Sequence, residues 1–366
     1  MTFLTLSFFT SLVITLMIIR SSAQHAHRSA DHDVSGPQKF HSRPVPRVGG
    51  TGIFVALVAC VLTAQWLQPA DAPTLWLLLL CSLPAFLSGV AEDLTKSMSP
   101  RRRLLFTACS AGLAVWLLDG VVRRTDIPGV DSLITMTPVA VALTVFVVTG
   151  VANAINIIDG FNGLASMCVL LMVLAIAYVA FQVQDTFIFT ASLITAGAVF
   201  GFFVWNFPAG LIFLGDGGAY LLGFLLAELS VLLIHRNAMV SPIFVLLICA
   251  YPIFETIFTM YRRKVVRGVA TAAPDGIHLH TLIHRRLIRW TLAENRERRR
   301  LTRRNSMTSP YLWLLCLSSV VPSLLWWNNT AVLSCFLLLF VVTYMWLYRC
   351  IVRFKTPRWL IFRRHR

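Results

Sequence analysis

The sequence predicts an all-α fold, a polytopic transmembrane helical bundle of about eleven spans with its N-terminus outside and its C-terminus cytoplasmic. Three observations predict it. Hydrophobic residues make up 57% of the 366 and charged residues only 13%, too few to cover the chain with a wettable surface. Apolar runs of about 17 to 21 residues, long enough to cross the hydrocarbon core, recur along the whole length. The basic residues then fall almost entirely on one side of those runs.

In chain order the spans are read near 2–19, 48–67, 74–91, 103–119, 138–156, 163–181, 187–206, 218–234, 241–261, 310–327 and 331–349. The first run, Thr2–Ile19, lacks a positive n-region and an A-x-A cleavage site, so it reads as a retained span. The eight cysteines are scattered, seven of them inside apolar segments, with no zinc-like spacing; they read as small packing residues. Residues 1–366 form one integral membrane domain, with loops 20–47, 92–102, 157–162, 207–217 and 262–309 and a basic tail, 350–366, on one side.

Those segments and their edges hold 29 of the 32 Lys and Arg, whereas the opposite side has only Arg123, Arg124 and Arg236. By the positive-inside rule the basic side is cytoplasmic. The net charge of +16 is therefore a topological signal. No basic patch interleaved with aromatic residues exists on a soluble domain, so nucleic acid is not an expected partner. The arginine-rich stretch 285–300 reads first as a contact with membrane lipid headgroups, and second as a site for an anionic substrate. Within it, 277–292 reads as an amphipathic interfacial helix carrying Leu279, Ile283, Leu287 and Ile288 on one side.

Carboxylates persist near a membrane only at a cost, which marks them as functional candidates. Glu92-Asp93 close the third span, and adjacent acids repel unless a cation or proton lies beside them. Asn153, Asn156 and Asp159 follow one another at three-residue spacing on one side of a helix end, ahead of an Asn162-Gly163 turn. Asn206 opens a segment that ends in Gly215-Asp216-Gly217-Gly218, where the eighth span begins. The free N–H groups of that helix start suit a phosphate, and Asp216 beside them suits Mg²⁺, with an ordinary N-cap as the plain alternative. Asp275-Gly-Ile-His278-Leu-His280 precedes His284-Arg285-Arg286, whose histidines, helped by Arg, are suited to donating hydrogen bonds to phosphate rather than to holding zinc. Arg43-Pro-Val-Pro-Arg47-Val-Gly-Gly combines positive charge with backbone bends, as a lipid-phosphate site would. Glu228 and Glu255, in or near spans, read as interhelical hydrogen-bonding groups.

Taken in order, P-R-x-G-G, E-D-L, N-x-x-N-x-x-D-G-x-x-G-L, N-F-x-A-x-x-F-x-G-D-x-G and H-L-H resemble the polyprenyl-phosphate N-acetylhexosamine-1-phosphate transferase family over almost the whole chain. The resemblance implies an enzyme of the bacterial inner membrane that works on the cytoplasmic face. It implies transfer of a sugar-1-phosphate from a UDP-N-acetylhexosamine to undecaprenyl phosphate, with Mg²⁺ (or Mn²⁺) as cofactor and UMP released. It places Asp93, Glu92 and Asp159 in catalysis and Asp216 at the metal. Asn153, Asn156, Asn206, His278, His280 and Arg285 then bind nucleotide sugar, and Arg43 and Arg47 the lipid phosphate. A homodimer is compatible with this reading. The chain departs from the family where Glu92 replaces a usual aspartate, Ala219 a frequent serine, and Thr281 a frequent histidine. The absence of a longer histidine run argues against the peptidoglycan translocase branch. A polytopic secondary transporter and an inactive homologue are the alternatives.

Overall fold

The computed structural model describes residues 1–31, 45–266, 268, 276–288 and 297–353. Helix dominates. The order is α1 Thr2–Ser29, a two-residue antiparallel pair of β1 Ala30–Asp31 with β2 Val45–Pro46, α2 Gly49–Leu67, α3 Ala72–Thr95, α4 Pro100–Leu118, α5 Val130–Leu133, α6 Thr137–Ile158, α7 Leu164–Gln182 and α8 Thr186–Asn206. There follow α9 Gly215–Arg236, α10 Pro242–Ile248, α11 Ala250–Tyr261, α12 Leu279–Ile283, α13 Glu297–Leu325 and α14 Thr330–Val352.

Among the described residues nine helices are long and apolar enough to cross a membrane, and Pro242–Ile248 with Ala250–Val265, bent by 71° at their break, passes the same test only as a pair, as a broken span or a re-entrant loop does. The eleventh expected span is α4, whose length suffices but whose first turn carries Arg101, Arg102 and Arg103. Helix starts follow the sequence closely. Prolines occupy the first turns of α3, α4, α6 and α10, where a missing N–H costs nothing. Ser99, Asp185, Ser241 and Asn329 cap α4, α8, α10 and α14 through their side-chain oxygens.

Between helices in lipid, close contact comes from small residues rather than from hydrophobic exclusion. On α1, Phe3, Ser7, Ser11 and Thr15 recur every fourth residue and are all buried. Gly197 and Gly201 of α8 let that stripe approach, for a Cβ at Gly197 would meet Ser7 Oγ and the Leu4 carbonyl. At the centre stands α9, where every residue from Gly215 to Leu233 is buried. Gly223 lies against the Ala152 backbone of α6, Gly89 against the Asp216–Gly217 backbone, and Gly50 against Gly218. Three helices thus touch α9 backbone to backbone.

Several expectations change. Helix α13 starts at Glu297, so the span expected from 310 begins within what reads as loop in the sequence. The interfacial helix exists as α12 plus a wider-pitched turn, His284–Ile288. Its apolar side, Leu279, Ile283, Leu287 and Ile288, is buried within the bundle core rather than facing headgroups. Glu228 makes no hydrogen bond among the described residues; its carboxyl lies against Gly120, in space that a Cβ would fill. Glu255, by contrast, does bond between elements, to the histidine segment and to α14.

Gly89→Val would drive a side chain into the α9 backbone, 2.5 Å from where its Cβ would sit. The expected outcome is a loss of ~1–3 kcal/mol, read as a lower unfolding temperature of the detergent-solubilised protein. Gly150→Ala, whose Cβ meets nothing within 4 Å, should leave that temperature unchanged or raise it.

Candidate functional site

The ends of α3, α6 and α8 and the starts of α4, α7 and α9 meet at one end of the bundle. Asp93, in the last turn of α3, is buried. Its Oδ1 accepts the Asp216 N–H at 2.9 Å and its Oδ2 accepts the Gly217 N–H at 2.9 Å. A carboxylate from α3 therefore caps α9, a charge-assisted pair of bonds at the positive end of a helix dipole. Those two N–H groups, expected to face a phosphate, are taken.

Asp216 itself turns to a cationic and amide surround. Its Oδ1 accepts from Asn156 Nδ2 at 3.1 Å and from Arg47 Nη2 at 3.4 Å, and its Oδ2 pairs with Arg103. Arg47 Nε also lies 3.9 Å from Asp93 Oδ1. The expected line on α6 is real: Asn156 meets Asp216, and one turn deeper Asn153 Oδ1 accepts the Tyr220 hydroxyl at 3.5 Å. The guanidinium of Arg103 stands over the Tyr220 ring at 5.8 Å. Arg47 reaches this place because its strand is fastened to the loop before α9. Phe213 N–H donates to the Pro46 carbonyl, and the Gly49 and Gly50 N–H groups donate to Phe213 and Leu214. Gly215 holds φ +76°, and a Cβ there would collide with the Arg47 carbonyl, so this turn needs glycine.

Asp159 follows α6 at the rim of this cluster. Burial pushes its carboxyl up to about 7, against the opposing pull of Arg47. The histidine segment closes on the same turn. His280 Nε2 would lie 3.3 Å from a Cβ at Gly160, and the Phe161 ring packs on both His280 and His284. Burial pushes His280 down to about 3, with His278 adding and Glu255 opposing, so His280 is neutral and offers an N–H without a charge. Its Nδ1 is buried without a partner among the described residues. His278 stacks flat on His280, centroids 5.0 Å apart.

Other expected residues sit elsewhere. Asn206 fastens two loops, its Oδ1 accepting the Gly163 N–H at 2.6 Å and its Nδ2 donating to the Ile212 carbonyl at 2.7 Å. Glu92 closes the α3–α4 turn, accepting the Met98 N–H at 2.7 Å. Arg285 is exposed on the turn after α12; burial pushes the neighbouring His284 down to about 4, with the charges of Arg304 and then Arg285 adding to it. Arg43 and Asp275 lie outside the described residues. Arg103 enters the sequence reading only as part of a charge count, although its place one turn into the span after Glu92-Asp93 is a signal that could have found it. Asn305, Ser306, Ser309 and Trp313 of α13 also escape that reading. They bind the Asn162–Gly163 backbone or the Asn162 amide and so hold the turn after Asp159 in place.

A hollow of about 620 Å³ opens near Asp119, Asp185, His235 and Arg236, at the opposite end of α9. Its polar groups answer one another, Arg236 pairing with Asp185 at 2.7 Å and His235 with Asp119 at 3.3 Å. The converging acids, amides and arginines are at the Asp216 end.

Because Arg47 favours the charged form of Asp159, Arg47→Gln should raise the Asp159 midpoint above about 7. The carboxylate would then be lost at a higher pH as the solution is acidified. Infrared titration of the protonated carboxyl band, assigned by its disappearance in Asp159→Asn, reads the shift; a midpoint that stays or falls would contradict the stated electrostatics.

The description "Glycosyl transferase family 4" belongs to the family model that matches residues 75–234, which run from α3 through α9 and so contain Asp93, Asn156, Asp159 and Asp216. Undecaprenyl-phosphate alpha-N-acetylglucosaminyl 1-phosphate transferase of Thermotoga maritima is 30% identical over 278 residues, covering 76% of this chain and 81% of its own. A probable undecaprenyl-phosphate N-acetylglucosaminyl 1-phosphate transferase of Bacillus subtilis is 28% identical over 280 residues, 75% of each chain. Phospho-N-acetylmuramoyl-pentapeptide-transferase of Ruegeria pomeroyi is 29% identical over 279 residues, 67% of this chain and 74% of its own. With likeness of that extent and the ordered motifs gathered at one end of the bundle, the chain belongs to the polyprenyl-phosphate N-acetylhexosamine-1-phosphate transferase family, glycosyl transferase family 4.

Proposed function

We propose that the chain transfers a HexNAc-1-phosphate from a UDP-sugar to undecaprenyl phosphate on the cytoplasmic face of the bacterial inner membrane. UMP leaves, and the lipid-linked diphosphate sugar initiates a cell-surface polysaccharide such as an O-antigen. One observation carries the reading: Asp216, Arg47, Arg103 and Asn156 converge at one end of the bundle, with Asp159 close enough to feel the charge of Arg47. Asp93, Asp159 and Asp216 all stand at span ends on one side of the bundle, which supports a surface reaction over transport.

In phosphoryl transfer the protein mainly positions reactants and neutralises charge. An oxygen of the lipid phosphate forms a bond to the sugar-bearing phosphorus as the bridge to UMP breaks, and the electron pair leaves on the UMP phosphate. A phosphate monoester has its second pKa near about 6, so at neutral pH the nucleophile needs orientation more than a strong base. In this reading Asp159 orients it or takes a residual proton, supported by its position at the end of α6 beside the charge of Arg47. Asp93, buried under α9, acts through Asp216 by fixing the turn that carries it. Arg47 and Arg103 supply cationic charge for the diphosphate and the lipid phosphate, and neutral His280 supplies an N–H.

The residues fit Mg²⁺, with Mn²⁺ as a substitute, in the way that ion is usually held. It takes one or two carboxylates and completes its shell with water and phosphate oxygens. Asp216 offers such a carboxylate and Asn156 an adjacent amide. Among the described residues no cluster of three or more His, Cys, Asp or Glu surrounds a metal position, so such an ion would take the rest of its ligands from water and phosphate. When bound, the ion neutralises diphosphate charge.

Purified protein given undecaprenyl phosphate, Mg²⁺ and a panel of UDP-sugars should release UMP with at least one of them. Asp216→Asn should lower kcat on the order of 10²-fold or more. No turnover with any sugar would sink the reading, and full activity in Asp216→Asn would remove that residue from the metal.

A further inference from the structure

Behind the histidine segment lies a carboxylate that the transfer chemistry leaves unused. Glu255, on α11, is fully buried. Its Oε1 accepts the Leu279 N–H at 3.1 Å and lies 3.1 Å from His278 Nδ1. Its Oε2 accepts the Tyr344 hydroxyl at 2.7 Å. A carboxylate only accepts, so the His278 proton in this pair belongs on Nδ1, and Nε2 is the ring atom left for other partners. The backbone of the segment is held as well, because Arg262 Nη1 donates to both the Ile277 carbonyl and the Tyr348 hydroxyl at 2.6 Å. From there the rings continue outward. His278 lies flat on His280, and His280 abuts Gly160, the residue after Asp159.

Glu255, His278, His280 and the Asp159–Gly160 turn therefore form one line from the middle of α11 to the rim of the site. A buried carboxylate with three donors could exist only to satisfy helices packed in lipid. Here, however, two of its three donors, the His278 ring and the Leu279 N–H, come from the segment that carries both histidines, and only Tyr344 comes from a span. We propose that Glu255 is a positioning residue for transfer from the nucleoside diphosphate sugar. It fixes the tautomer of His278 and holds the 278–280 segment against the Asp159 turn, so that the two imidazoles face the diphosphate ready-oriented. This role rests on the transferase reading.

Glu255→Gln keeps the shape and one accepting oxygen but removes the charge, which makes it the informative variant. In the UMP-release assay it should lower kcat roughly 10–100-fold, the usual cost of removing the group that orients a working histidine, while KM for the UDP-sugar stays within about twofold. Glu255→Asp, which keeps the charge, should recover part of the loss. Residues that act in series are not additive, so in a His278→Gln background Glu255→Gln should cost about twofold or less. Parental kcat in Glu255→Gln, or two losses that multiply, would overturn the proposal. Histidine ¹⁵N spectra of the full-length protein in lipid nanodiscs give a readout independent of turnover. The His278 resonance, assigned by its loss in His278→Gln, should show a protonated, strongly deshielded Nδ1 that shifts in Glu255→Gln. A parent that turns over no sugar but shows that signal would sink the transferase reading and leave the pairing standing. An unprotonated Nδ1 would sink the positioning role whatever the activity.

Discussion

The site depends on one interaction, the Asp93 carboxylate spanning the Asp216 and Gly217 N–H groups in the first turn of α9. A buried helix start must find acceptors for its orphan donors, because an unpaired buried N–H is costly. Meeting this need from α3 joins two helices at a point that neither would choose for apolar packing. It also fixes the metal-candidate side chain in place, because Asp216 is itself one of the capped residues. The glycines around it are consequences of the same contact. Gly89 and Gly217 let α3 lie against α9, Gly50 lets α2 meet Gly218, and Gly215 lets the Arg47 strand pass. Any of these with a side chain would separate the capping carboxylate from the helix that it caps.

Charge balance around Asp216 follows from that placement. Asp93, Asp159 and Asp216 gather near Arg47, and Arg103 approaches Asp216 from α4. Carboxylates so close would repel one another if left alone, and Asp159, with burial opposing only Arg47, sits at the balance point near neutrality. Two guanidinium groups with fixed forks are suited to bind phosphate oxygens in their turn. In the function proposed above, the arginines that steady the acids in the protein alone are also the groups offered to a diphosphate, so partner exchange would cost less than exposing a bare buried charge.

Much of this is legible in the sequence. Spans are readable because membrane-crossing runs are long and apolar, and the positions of the motifs at span ends place them at one end of the bundle. The Asn153, Asn156 and Asp159 line is readable because three-residue spacing at a helix end fixes a common side. Roles set by tertiary partners escape. Nothing local distinguishes Asn206, which bonds two loops, from an amide that binds a ligand, nor Asp93 as a cap from Asp93 as a base. Leu279, Ile283, Leu287 and Ile288 form the same stripe whether they face lipid or protein, and here α12 and its following turn meet protein. Helix α13 reads too short in the sequence because Arg298, Arg299, Arg300, Arg303 and Arg304 mask helix in a hydropathy reading.

That extension of α13 has a consequence for how the site is kept rigid. Its added turns bring Asn305, Ser306 and Ser309 onto the Asn162 turn, while Asn206 holds Gly163 from the other side. The loop after Asp159 is therefore bonded on two faces by side chains from distant parts of the chain. An acid at a helix end would otherwise fray with its last turn, since α6 offers no cap beyond Asp159 itself. The apolar rings complete the clamp, with Phe161 against His280 and His284, and Phe207 against Trp313. The basic segment that carries the topological signal is thus, in its helical parts, also the wall that holds the acid and the histidines to one another.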